Sequence, residues 1–98
     1  MTDVIKFEAT SPNSKTTYTE TLTLSENDRE RTAHYLQTIL NDNPMARYVC
    51  KLTTGEELDI NPLRTSKYID IVRTTPKERE TYRLSENQAM TLAEALSP

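Results

Sequence analysis

The amino-acid sequence predicts a small, two-layer α+β domain, in which two helices lie on one face of a mostly antiparallel six-stranded sheet. Apolar residues recur at every second position in six short segments, which is the period of a half-buried strand. Two other segments have apolar residues at helical spacing, and both begin with Leu-Ser-Glu-Asn. The segments follow one another in the order ββα-ββ-ββα without a long linker, so residues 1–98 are predicted to form a single domain.

The first two predicted strands form a hairpin. Ile5, Phe7 and Ala9 make the apolar face of the first strand, and residues 11–15 have the composition of a turn. In the second strand, the apolar face is interrupted by Glu20. The opposite face of that strand consists of four threonines, Thr17, Thr19, Thr21 and Thr23. Because threonine favours strands, this row is typical of a water-facing strand, and it is also a candidate strand-pairing edge.

The tetrapeptide Leu24–Asn27 recurs sixty residues later as Leu84–Asn87. The serine of each copy is a predicted helix N-cap, because its hydroxyl can accept a hydrogen bond from the backbone N–H three residues on. Asp28 and Gln88 occupy that third position, from which a side chain can bond back to the cap. Two explanations of the repeat stay open, namely duplication of a ββα unit and independent use of the same cap.

Each predicted helix has one narrow apolar stripe, which fits packing against a sheet. The first stripe is Ala33, Leu36, Ile39 and Leu40, and residues 41–44 end that helix. The second stripe is Ala89, Leu92, Ala93 and Leu96.

Four more strands are predicted within residues 46–53, 57–60, 68–72 and 81–84. Gly55, the single glycine of the chain, lies between the first two of these, where a tight turn requires a positive φ. Asn61-Pro62 is predicted to end the fourth strand, and residues 75–79 join the last two.

Residues that would support catalysis or metal binding are scarce. One histidine and one cysteine exclude a four-ligand zinc site of the usual kind and an internal disulfide. His34 is predicted to face solvent and Cys50 to lie on an apolar strand face, so they do not form a nucleophile pair. Alternation divides the acidic hairpin Glu56, Glu57 and Asp59 between two faces, and no phosphate-binding or nucleophile motif is present. We therefore expect no enzyme activity, no cofactor and no metal.

The composition favours a soluble cytoplasmic protein with no membrane partner. The formal net charge is −3, which favours neither nucleic acid nor an anionic membrane. No apolar run approaches the roughly 20 residues that span a bilayer, and residues 1–6 do not resemble a secretory leader.

Basic residues concentrate near the end of the chain. Six of the twelve lie within residues 64–83. The candidate partner or nucleic-acid surface is Arg73, Lys77, Arg79 and Arg83. Tyr68 and Tyr82 are nearby as potential stacking platforms for bases, although Tyr82 falls on the apolar face of its strand. Asp70, Glu78 and Glu80 oppose this charge.

These observations favour a non-enzymatic binding protein that acts on a protein partner. A small domain of this kind suits an accessory, inhibitor or regulatory role, including roles carried by phages or plasmids, and the partner includes a second copy in a homodimer. The alternative is a nucleic-acid-binding regulator that uses the basic hairpin around residues 73–83.

Overall fold

A computed structural model describes residues 2–63 and 67–97 of the protein. The predicted order of elements and the α+β class are confirmed. The elements are β1 (Thr2–Thr10), β2 (Thr17–Ser25), α1 (Glu26–Asn41), β3 (Tyr48–Lys51), β4 (Glu57–Pro62), β5 (Ile69–Thr74), β6 (Arg79–Leu84) and α2 (Glu86–Leu96).

All six strands belong to one sheet, in the order β2-β1-β6-β5-β4-β3, and every neighbouring pair is antiparallel. The β1–β2 hairpin joins the other four strands through a single residue pair, Thr10 with Arg83. Because β6 ends at Leu84, most of β1 has no strand partner on that side among the described residues, and α2 contacts β1. Within the described residues, β2 and β3 are therefore the two edges of the sheet.

Both helices cover the apolar face of the sheet and pack against each other. Leu36 of α1 and Leu92 of α2 are fully buried and share one hydrophobic core with strand residues such as Leu58 and Ile71. α1 contacts β2 on one side and β3 and β4 on the other, so one helix meets strands from both edges of the sheet. The opposite face of the sheet, which neither helix covers, is its open face.

Both helices begin at the predicted serine caps. The Ser25 hydroxyl accepts from the Asp28 N–H, and the Ser85 hydroxyl accepts from the Gln88 N–H, each at 3.2 Å. Gln88 also completes the predicted reciprocal bond, because its Oε1 accepts from the Ser85 N–H at 2.9 Å. The Asp28 carboxylate instead accepts from Thr53, so the first cap lacks the reciprocal bond. Both copies of the repeated tetrapeptide thus cap a helix, and duplication of a ββα unit stays a hypothesis.

Several strand boundaries differ from the prediction: β3 ends at Lys51, β5 continues to Thr74, and β6 begins at Arg79. β3 begins at Tyr48 instead of residue 46, because the Ala46 N–H is used by the turn that follows α1 and donates to Asn43 O. β4 continues through Pro62 instead of stopping before it. Pro62 pairs only with Ile69 of β5, since β3 no longer flanks β4 there, and a residue without an N–H is tolerated at such a position.

Candidate strand-pairing site

The predicted threonine row lies on an edge strand. Thr17, Thr19, Thr21 and Thr23 all belong to β2, and each is exposed on the sheet face that the helices leave open. The intervening residues turn to the helix side, where Leu22 and Leu24 are 1% exposed. The alternation of β2 is therefore as predicted, and its threonines are accessible along the whole strand.

The backbone groups of the threonines point away from β1. The turn of the β1–β2 hairpin is closed by the Ser11 N–H, which donates to Thr16 O at 2.8 Å. Ser11 and Thr16 are therefore a hydrogen-bonded pair, and such pairs alternate along an antiparallel ladder. The residues of β2 that direct their N–H and C=O groups to β1 are then Tyr18, Glu20, Leu22 and Leu24. The N–H and C=O groups of the four threonines then face the free side of β2. Within residues 2–63 and 67–97 no strand occupies that side.

The two edges of the sheet differ in how they are protected against pairing. Natural edge strands are blocked by shortness, by lysine, by proline or by a bulge. β3 has four residues and ends in Lys51, so it has two of these protections. β2 has nine residues without proline, lysine or arginine, and it pairs with β1 without a bulge. Its single charged residue is Glu20, which leaves β2 the less protected edge.

The open face of the sheet is polar and internally paired, which makes face-to-face packing with another sheet unfavourable. Arg83 donates to both carboxylate oxygens of Asp70 at 3.0 and 3.2 Å. Arg47 makes a similar two-bond pair with Asp59 and holds the pKa of that carboxyl below its usual value. Val4 and Val49 are the strongly exposed apolar residues of the described strands, and they lie on β1 and β3, which are not adjacent.

The predicted basic surface is divided between the two faces of the sheet. Arg73 shares a face with the buried Ile71 and Tyr82, and its Nε lies 3.7 Å from Glu56 Oε2. Arg79 and Arg83 are on the open face, where Arg83 is already paired with Asp70. A signal for this division was in the sequence, because Arg73 has the same parity as Ile69 and Ile71, whereas Arg79 and Arg83 alternate with Tyr82.

Lys77 is the fourth residue of the predicted basic surface, and it is exposed in the turn between β5 and β6. The structure therefore brings Arg79 and Arg83 together on one strand, adds Lys77 at the nearby turn, and separates Arg73 from them. Arg64, part of the same basic stretch of sequence, lies outside the described residues.

Tyr82, the aromatic residue between Arg79 and Arg83, is part of the core. Tyr82 is 2% exposed and packs edge to face on Phe7, with ring centroids 5.4 Å apart. Its hydroxyl donates to Glu80 Oε2 at 2.5 Å, and burial together with this bond raises the pKa of the phenol. Base stacking requires an accessible ring face, so Tyr82 does not provide one. Tyr68 is half-buried.

The remaining chemically reactive residues are dispersed. His34 is exposed on α1, whereas Cys50 is fully buried on β3, where burial raises the pKa of its thiol. In the acidic hairpin, Glu56 lies near Arg73 and Asp59 is paired with Arg47. Among the described residues, no three histidine, cysteine or acidic side chains are grouped closely enough to hold a metal ion.

The sequence did not predict the tertiary contact that the buried Asp28 carboxylate makes. Asp28 is 1% exposed, and its Oδ2 accepts from both the backbone N–H and the hydroxyl of Thr53 at 3.0 Å. Burial alone would raise the pKa of Asp28, but the hydrogen bonds from Thr53, the nearby Ser25 side chain and the charge of Arg31 lower it. Asp28 thereby joins the start of α1 to the turn after β3. No local pattern predicts a contact between residues twenty-five apart in sequence.

None of the helices in the described part of the chain is long and apolar enough to cross a membrane. The sequence matches no protein-family model, and no curated protein and no solved structure is similar enough to count as a relative.

Proposed function

We propose that this protein is a non-enzymatic binding protein that recognises a protein partner by pairing a strand of that partner with β2. The observation that carries the proposal is the nine-residue edge, whose outward backbone groups belong to four exposed threonines. Strand addition of this kind derives affinity from main-chain hydrogen bonds and specificity from alternate side chains. The biological role we propose is accessory, inhibitory or regulatory.

The side chains of β2 define the kind of strand that fits. On the open face, the partner strand would lie beside uncharged threonines, so β-branched or small polar residues fit there. On the helix side it would meet the half-buried Tyr18 and Glu20, which favours apolar or basic residues. Proline is excluded wherever the partner's N–H must donate to β2. A reducing cytoplasm is the proposed setting, in keeping with Cys50 as a buried free thiol.

The test compares two threonine-to-lysine variants. Thr21→Lys places a charge at the middle of the β2 edge, whereas Thr81→Lys places the same charge on the open face of the interior strand β6. Both positions are exposed, so both variants should fold as the parent does. Each protein is used for affinity capture from lysate of the native host, and captured proteins are cross-linked to locate their contacts.

We expect partners captured by the parent and by Thr81→Lys to be lost with Thr21→Lys, with cross-links concentrated on residues 17–25. Thr21→Pro provides a second edge variant, because it removes an outward N–H that the β1–β2 ladder does not use. Equal capture by all four proteins, or cross-links centred on residues 73–83, would be incompatible with an edge-pairing function.

A further inference from the structure

The β2 strand is complementary to its own reversed copy. Thr21 is the midpoint of Thr17–Ser25, so a two-fold axis at Thr21 overlaps all nine residues of two copies. We propose that the partner strand is β2 of a second copy, paired antiparallel about this axis. This inference rests on the function proposed above and names the occupant of the same edge.

Such an axis is perpendicular to the sheet, so the open faces of the two copies lie on the same side of the joined sheet. Thr21 lies opposite Thr21 of the second copy, and Thr19 lies opposite its Thr23. The three hydrogen-bonded pairs at the centre use the outward N–H and C=O groups of these threonines and supply roughly six main-chain hydrogen bonds. Threonine pairs across strands are favourable, and here they would form one continuous polar row.

The same axis places the one charged residue of β2 opposite a neutral residue. Glu20 lies opposite Leu22 of the second copy, whereas an axis at Glu20 would oppose the two carboxylates directly. An axis at Leu22 avoids that opposition but leaves Thr17 and Tyr18 without a partner. The Thr21 register is therefore the one that combines complete overlap with no like charges directly opposite.

The charge distribution favours a second copy over a highly charged partner. The four threonines carry no charge, and β2 has no basic residue that would attract an acidic strand. A partner strand that matches this edge needs uncharged β-formers on one face and mainly apolar residues on the other, and β2 itself has that pattern with Glu20 as its one exception.

The experiment uses the purified full chain, so no other protein is available to pair. Sedimentation velocity over a concentration series measures self-association of the parent, Thr21→Lys and Thr81→Lys. In the proposed register, Thr21→Lys opposes two ammonium groups across the axis and should weaken dimerisation at least about tenfold, whereas Thr81→Lys should leave it unchanged. Circular dichroism checks that all three proteins are folded.

Cysteine cross-linking tests the register. Opposed residues of a hydrogen-bonded pair have Cα atoms about 5.5 Å apart, which a disulfide can bridge. Under mild oxidation, Thr21→Cys should cross-link to itself. Thr19→Cys alone should not, because its counterpart is offset by four residues, roughly 14 Å, whereas a mixture of Thr19→Cys and Thr23→Cys should cross-link. The buried Cys50 does not compete for these bonds.

The outcomes separate this inference from the proposed function. A dimer that is lost in Thr21→Lys and shows this cross-linking pattern supports both. A monomer at all concentrations overturns the inference that the partner strand belongs to a second copy. The proposed function is then tested by the capture experiment alone, in which the partners must be lost with Thr21→Lys. A dimer unaffected by Thr21→Lys, or one that cross-links most readily through a different residue of β2, also overturns the inference.

Discussion

At the residue scale, Asp28 connects two distant parts of the fold. Its carboxylate accepts two hydrogen bonds from Thr53, while its own backbone N–H donates to the Ser25 cap. Arg31 Nη1 lies 3.6 Å from the second carboxylate oxygen and provides a partly exposed counter-charge. A buried charge that loses such partners is costly, so the carboxylate contributes to stability only while these contacts are intact.

We predict that Asp28→Asn destabilises the protein by about 1–3 kcal/mol at neutral pH, because the charge-assisted bonds to Thr53 weaken. The folded-state pKa of Asp28 lies below its ordinary value, so this contribution is present above about pH 4 and is lost as pH falls through the lower value. The difference between parent and variant should therefore shrink in acid. Urea unfolding from pH 3 to 7 measures this, with Glu30→Gln as an exposed control on the same helix. A difference that is constant with pH would contradict the assignment.

At the scale of the elements, the two helix caps are similar in sequence but unequal in structure. The Ser85 N–H donates the reciprocal bond to Gln88 Oε1, which also accepts from the Thr10 hydroxyl at 2.8 Å. The second cap thereby links α2 to the end of β1, close to the single pair through which the hairpin joins β6. Ser25 has only the bond from the Asp28 N–H.

We predict that Ser25→Ala and Ser85→Ala each lower the free energy of unfolding by about 0.5–2 kcal/mol, with the larger loss for Ser85→Ala. Denaturant midpoints measure this directly. Ser14→Ala, in the exposed turn of the hairpin, is a control that should match the parent. If Ser25→Ala and Ser85→Ala kept the parent's midpoint, the caps would have no energetic role.

The β2 edge has one residue that limits pairing. In the proposed register the two Glu20 side chains are diagonal neighbours, which lie about 7–8 Å apart in an antiparallel ladder, so their charges repel weakly. We predict that Glu20→Thr strengthens self-association by a few-fold, since it removes this repulsion and adds a good strand former. Glu30→Gln removes the same charge elsewhere and should have no effect. Weaker association of Glu20→Thr in sedimentation velocity would show that Glu20 makes a favourable contact instead.

At the scale of the whole molecule, the distribution of charge opposes a nucleic-acid function. The net charge is −3, Arg83 is paired with Asp70, and Arg73 lies on the other face from Arg79. We predict no binding to single- or double-stranded DNA or RNA at physiological salt, and only weak, steeply salt-dependent binding below it. Fluorescence anisotropy of labelled oligonucleotides measures this, with Arg79→Glu as the informative variant. Sub-micromolar binding that Arg79→Glu abolishes would favour the basic hairpin over the β2 edge.

Much of this fold could be predicted from local patterns, because the determinants of its elements are local. Alternation of residues such as Ile5, Phe7 and Ala9 defines strands, and the serine caps define where the helices begin. The strand order could not be predicted, since the contact of Thr10 with Arg83 joins residues far apart in the chain. The threonine row was predictable as a face of β2, but its position at an edge depends on that order. The contact between Asp28 and Thr53 is non-local for the same reason.

The central claim is that the outward backbone groups of β2 pair with another strand. Amide hydrogen exchange, followed residue by residue by NMR over a concentration series, tests it most directly. We predict that the amides of Tyr18, Glu20 and Leu22 are protected at every concentration, because they bond to β1. Those of Thr19, Thr21 and Thr23 should exchange rapidly when dilute and become protected as concentration rises or as a partner is added. Threonine amides that stay unprotected while the protein associates, or protection that arises on β3 instead, would contradict the claim.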